Sequence, residues 1–165
     1  MQVSDYICRT DSPEQTKALG EILGGIVPAG TVIVLQGDLA AGKTQFVQGL
    51  AKGLGIAPAE VQSPTFALLH IYSGRLTLYH FDWYRIEDAA ELEQLGFVEY
   101  VDESEGVVAI EWGARFPDWI PPDALWITFA SGDDMQERQI TFACAADSST
   151  AQALAEFKLQ YERQT

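Results

Sequence analysis

Gly37-Asp38-Leu39-Ala40-Ala41-Gly42-Lys43-Thr44 carries the strongest structural signal in the sequence. It satisfies the phosphate-loop pattern G-x-x-x-x-G-K-[ST] in full. The glycines let backbone amides turn inward around phosphate oxygens, and a helix beginning at the second glycine adds its partial positive charge. That mechanism needs a buried strand before the loop and a helix after it. Both are present. Thr31-Val32-Ile33-Val34-Leu35 is a continuous β-branched run suited to a strand covered on both faces, and Phe46, Val47, Leu50, Ala51 and Leu54 recur at helical spacing up to Gly55. An incidental glycine turn requires neither flank. Lys43 is therefore the expected point charge for the β- and γ-phosphates, Thr44 the hydroxyl for Mg²⁺, and residues 37–42 the cradle; the ligands expected are ATP and Mg²⁺.

Working outward, Tyr6–Arg9 reads as a short opening strand. Ser12-Pro13-Glu14-Gln15 announces a helix, with Ser as cap and Pro in the first position. Leu19, Ile22, Leu23 and Ile26 mark its buried stripe, with Gly24-Gly25 and Pro28-Ala29-Gly30 as its stop. Phe66–Tyr72 and Leu76–Tyr84 flank Ser73-Gly74-Arg75 as a hairpin. Asp88–Leu95 is a short acidic helix and Gly106–Ile110 another buried strand. A second hairpin joins Leu125–Ala130 to Gln139–Cys144, and Ser149 caps a last helix. Helices interleave with strands while two hairpins force antiparallel pairs. The predicted fold is α/β: a P-loop NTPase-like mixed sheet flanked by helices, in one domain over residues 1–165.

Composition narrows the partners. Twenty-four acids against ten bases give a net charge of −14. Polyanions such as RNA are held mainly by Lys and Arg contacts to phosphate, so direct RNA binding is not expected. From Arg85 to Arg115 there are nine acids and no intervening base, which reads as a solvated face or as a docking surface for a basic partner. No apolar run approaches the roughly 20 residues of a membrane span, and no export signal opens the chain, so a cytoplasmic protein is expected. Cys8 and Cys144 lack metal or redox spacing and read as buried, reduced thiols.

A phosphate-loop protein usually carries a carboxylate at the end of a neighbouring strand to hold Mg²⁺. Glu111 ends the buried run Val107–Ile110 and is assigned to the metal. Asp82 lies in an alternating strand in which His80, Asp82 and Tyr84 share one face; it is placed near the γ-phosphate, orienting water or Mg²⁺, the bland alternative being a partner for Arg85 or His80. In Ser63-Pro64-Thr65-Phe66, Thr65 either reaches Mg²⁺ or the γ-phosphate or simply belongs to a loop-to-strand turn.

Four segments occur in order: Gly-Asp-Leu-x-Ala-Gly-Lys-Thr at 37–44, Ser-Pro-Thr-Phe at 63–66, His-Phe-Asp-x-Tyr-Arg at 80–85 and Ile-Glu-Trp at 110–112. In this the chain resembles the bacterial TsaE (YjeE) family. The resemblance implies an ATPase supporting the formation of threonylcarbamoyladenosine beside the anticodon of tRNAs that read codons starting with A. It implies action with TsaB and TsaD, Mg²⁺ ligands at Thr44 and Glu111, and an adenine held partly by the stretch from Thr10 to Ser12. The chain departs from the family's usual pattern at Ala40, where Gly is common, and at Gln45, where a second Thr is common.

Three rival readings fit the sequence less well or separate from the first only by turnover. A small-molecule kinase would carry a lid with several arginines, whereas Arg75, Arg85 and Arg115 are scattered. A GTPase would read guanine with Asn-Lys-x-Asp, and this sequence contains no asparagine. A nucleotide-sensing module that barely hydrolyses ATP differs from the leading reading only in its turnover with partners.

Overall fold

The computed structural model describes residues 3–38, 41–57, 61, 68–102 and 105–164. Along them run β1 (Val3–Thr10), α1 (Pro13–Ile26), β2 (Val32–Gln36), α2 (Lys43–Gly53), β3 (Leu69–Tyr72), β4 (Leu78–Asp82), α3 (Ala89–Gln94), α4 (Phe97–Asp102), β5 (Val107–Glu111), β6 (Leu125–Ser131), β7 (Arg138–Ala145) and α5 (Ser149–Gln164). Among the described residues they form one seven-stranded sheet, ordered β1-β7-β6-β2-β5-β4-β3. The four middle strands run parallel, and β1, β7 and β3 add antiparallel flanks.

The phosphate-loop strand is the centre of this arrangement. Alternate residues of β2 enter two separate cores. Ile33 and Leu35 pack with Leu50, Phe142 and Phe157 beneath α1, α2 and α5. Val32 and Val34 pack with Phe81, Trp83 and Phe97 on the other face, under α3 and α4. A strand covered on both sides has no polar face, which is why this run shows no alternation in sequence.

α1 and α2 meet backbone to backbone. A Cβ on Gly49 would lie 1.8 Å from the Lys17 carbonyl oxygen, and one on Gly24 would lie 2.3 Å from that of Leu50. This corrects the sequence reading of α1. Gly24-Gly25 does not stop the helix, which continues to Ile26; Gly24 is the price of close helix packing, not a terminator. The start of α1 is as expected: Ser12 Oγ accepts from Gln15 N at 3.2 Å, and Pro13 is the first helical residue.

Other differences are smaller. The cap of α5 is Ser148, whose Oγ accepts from Ala151 N at 3.2 Å, one residue before the Ser149 expected. α4 was not anticipated; it is a six-residue helix following Gly96, which takes φ +72°, and it buries Phe97. The first strand of the predicted 66–84 hairpin is seen as Leu69–Tyr72; Phe66 lies outside the described residues.

Cys8 and Cys144 are buried free thiols. Cys8 stands opposite Ile140 and Cys144 opposite Ser4, four residues apart on the ladder, roughly 13 Å at strand rise, too far for a disulfide. No helix among the described residues is long and apolar enough to cross a membrane.

Candidate functional site

Parallel register brings the candidate residues to one edge of the sheet. Asp82 ends β4 directly opposite Glu111, which ends β5, and Glu111 is opposite Leu35 of β2. The next step along β2 reaches Gln36 and then the loop. Three strand ends therefore deliver two carboxylates and the phosphate loop to the same place, where ligands of open parallel sheets bind.

Loop conformation depends on its glycines. Gly37 takes φ +147°, and a Cβ there would lie 2.8 Å from the Phe129 carbonyl oxygen. Gly42 takes φ +101° as the residue preceding α2, with no side chain to cap the first-turn amides. Those amides lack intrahelical partners by the geometry of any helix start, so the turn is open to an anionic ligand. Ala41 N donates to Asp38 O at 3.0 Å and closes the described part of the loop. Leu39 and Ala40, both expected in the cradle, lie outside the described residues, as does Thr65.

Lys43 is buried, only 3% exposed. Nζ donates to Gly37 O at 2.8 Å and lies 4.0 Å from the centroid of the Trp112 ring. Trp112 is the described non-glycine residue with positive φ, at +64°, and this turn after β5 swings its ring over the ammonium. Burial pushes the Lys43 pKa down, opposed by the charges of Glu111, Asp82 and Asp38.

Asp82 is 7% exposed and Glu111 4%. Burial pushes the Asp82 pKa up; the bond from Tyr84 N to Oδ1 at 2.9 Å pulls it down, Glu111 raises it, and His80 and Lys43 lower it. Glu111 Oε2 is 2.7 Å from His80 Nε2, inside the sheet. His80 and Asp82 do share a face as expected, while Phe81 and Trp83 enter the opposite core.

Beside Gly42 lies a cavity of about 90 Å³ lined by Pro13, Thr16, Gln45, Gln136 and Arg138. Arg138 Nε donates to Ala41 O at 3.1 Å. Thr10, the expected adenine contact, is buried, with its Oγ1 2.8 Å from Thr16 Oγ1; it bears on this cavity through Thr16. Arg138 and Gln136 were missed in the sequence because they arrive from the β6–β7 hairpin, almost a hundred residues after the loop, without a local motif. Trp112 was quoted within a motif but given no role.

The residues suit Mg²⁺ chemically. No group of three or more His, Cys, Asp or Glu able to hold a metal occurs among the described residues. Mg²⁺ is commonly held by one or two protein carboxylates while phosphate oxygens and waters complete its shell, and the hydroxyl of Thr44 with the carboxylates of Glu111 and Asp82 is an all-oxygen set of that kind.

Fold and loop together define a P-loop NTPase-like α/β protein. The family model described as "Threonylcarbamoyl adenosine biosynthesis protein TsaE" matches residues 10–140. The chain is 43% identical over 141 residues to the tRNA threonylcarbamoyladenosine biosynthesis protein TsaE of Bacillus subtilis (strain 168), covering 84% of this chain and 85% of that one. It is 45% identical over 136 residues to the protein of the same description from Treponema pallidum (strain Nichols), covering 82% and 98%. A crystal structure of Bacillus subtilis YdiB superposes with TM-score 0.80 at 31% identity, over 97% of this chain and 98% of that one. This chain belongs to the TsaE family.

Proposed function

We propose that the chain binds Mg·ATP at the loop from Gly37 to Thr44 and hydrolyses it in support of threonylcarbamoyladenosine formation on tRNA, acting with TsaB and TsaD. The observation that carries this reading is the convergence of Asp82 and Glu111, at the ends of β4 and β5, on Lys43 at the start of α2. Family membership supports the pathway, and the motif supports the nucleotide.

In this reading the amides from Gly37 to Thr44 bind the phosphates, and Lys43 exchanges Gly37 O for phosphate oxygens. Thr44 and Glu111 hold the metal; Mg²⁺, when bound, supplies charge neutralisation on the phosphates. Asp82 already accepts Tyr84 N on Oδ1, leaving Oδ2 to orient the attacking water. The burial that raises its pKa also makes it a better base toward that water. Thr65 is assigned to the γ-phosphate side by its sequence motif alone. The cavity beside Gly42 is the place for the base and ribose, between Gln136, Arg138 and the start of α1.

The test has two arms. ATP hydrolysis measured with and without TsaB and TsaD is expected to rise when both are present; no hydrolysis in either condition removes the enzymatic part of the reading. Nucleotide affinity of Lys43→Met is expected to fall at least tenfold, about 1.4 kcal/mol. Because Lys43 is buried, Met rather than Ala is the informative replacement: it keeps the stem packed and removes the charge. Equal affinity in mutant and parent would remove the phosphate-loop reading itself.

A further inference from the structure

His80 is used by none of the roles above. It lies in the middle of β4, wholly buried, with Nε2 2.7 Å from Glu111 Oε2. The contact is diagonal: His80 stands opposite Ala109, and Glu111, two residues further along β5, stands opposite Asp82. All three polar side chains therefore share one face of the sheet.

A carboxylate only accepts hydrogen bonds, so the nitrogen facing ionised Glu111 carries the hydrogen. That leaves Nδ1, which is buried and has no hydrogen-bond partner among the described residues. An apolar side chain would fill this place without an orphaned nitrogen. Packing therefore gives no reason for histidine at this position, whereas the bond to Glu111 does. There is also something for the bond to resist. The Lys43 ammonium feels the Glu111 charge, and an untethered carboxylate would be drawn onto it, removing a metal ligand and a phosphate ligand together.

We infer that His80 is a positioning residue for the metal: its Nε2–H holds Oε2 of Glu111 within the sheet and leaves Oε1 as the oxygen available to Mg²⁺. This rests on the proposed binding of Mg·ATP at the loop. Hydrogen-bonded partners of this kind orient a metal ligand without touching the metal.

The chemistry of the two side-chain amides provides the test. A glutamine amide nitrogen reaches where Nε2 lies and donates there; an asparagine amide nitrogen reaches only as far as Nδ1. ATP affinity of the full chain is measured by calorimetry across a Mg²⁺ titration and again in EDTA. For His80→Asn the Mg²⁺ midpoint is expected to rise about tenfold or more, with affinity in EDTA falling by a smaller factor as Glu111 competes for Lys43; for His80→Gln the midpoint is expected to stay within about threefold of the parent. An Asn variant with the parent's midpoint, or a Gln variant as impaired as Asn, overturns the positioning role and leaves Mg·ATP binding standing. A parent protein whose ATP affinity ignores Mg²⁺ overturns both. Should the Asn variant fail to fold, the Gln variant decides alone: a parental midpoint supports the role and a tenfold rise overturns it.

Discussion

Glu111 and Asp82 are neighbours across one ladder rung, yet they are expected to fail differently when removed. A metal ligand supports both ground-state binding and the transition state, whereas a group orienting water acts mainly in the latter. Glu111→Ala is expected to abolish the Mg²⁺ dependence of ATP binding and most hydrolysis. Asp82→Ala is expected to lower turnover at least tenfold while leaving ATP affinity near the parent's. Steady-state kinetics beside binding measurements decide this, and the reverse pattern would exchange the two roles. Asp82 also has a cost in the ligand-free protein. Its pKa is raised chiefly by burial, so the folded state binds this proton more tightly than the unfolded chain does. Its contribution to stability is fully present below the unfolded carboxylate pKa of about 3.9 and is lost as pH rises through the folded value. Asp82→Asn is therefore expected to melt higher than the parent at neutral pH without Mg²⁺, with an advantage that shrinks as pH is lowered toward 4. Thermal melts across pH check the sign; a mutant that melts lower at pH 7 would show that Asp82 is stabilised by its neighbours.

At the scale of elements, the position of the phosphate loop depends on how closely α2 can approach α1. Gly20 and Gly24 on one helix and Gly49 and Gly53 on the other leave no room for a methyl, and the nearest atoms are backbone, which cannot rotate away. Gly49→Ala is expected to force the helices apart and to destabilise the protein by about 1–3 kcal/mol, the usual cost of overpacking, with weaker ATP binding because the α2 amides move relative to β2. Gly25, one residue from Gly24 but with open space at its Cβ, is the control. Gly25→Ala is expected to stabilise the helix slightly, by about 0.5–1 kcal/mol. Urea unfolding of the two variants separates close packing from a general effect of glycine in helices; equal losses would remove the packing explanation.

Across the whole molecule, charge is the dominant fact. Fourteen excess negative charges oppose any direct approach to tRNA, and each missing basic contact forfeits counterion release. Among the described residues of the 87–105 stretch, Glu93 on α3 and Glu99 and Asp102 on α4 are exposed, as are Glu87, Asp88 and Glu105 outside those helices, over a core formed by Leu92 and Phe97. The isolated chain is expected to show no measurable tRNA binding at physiological salt. An anisotropy titration against tRNA tests this; micromolar binding that weakens steeply with salt would reveal a basic groove hidden by the bulk composition.

Read alone, the sequence was enough for the class of fold and for the phosphate loop with its flanking strand and helix, because these rest on local rules. A phosphate loop needs glycines at set positions, a buried strand before it and a helix after it, and each leaves a mark within a few residues. The place of Glu111 was legible for the same reason: it is the charge that closes an apolar strand. Tertiary structure alone decided how these pieces meet. That Gly24 is a contact and not a stop depends on Leu50, which lies on another helix. That Lys43 is covered depends on the turn taken at Trp112, and that Arg138 reaches Ala41 depends on a hairpin near the end of the chain. His80 and Glu111 are thirty-one residues apart, and neither period nor motif links them. Strand register does, because hydrogen bonding between β4 and β5 sets which side chains share a face and stand within reach.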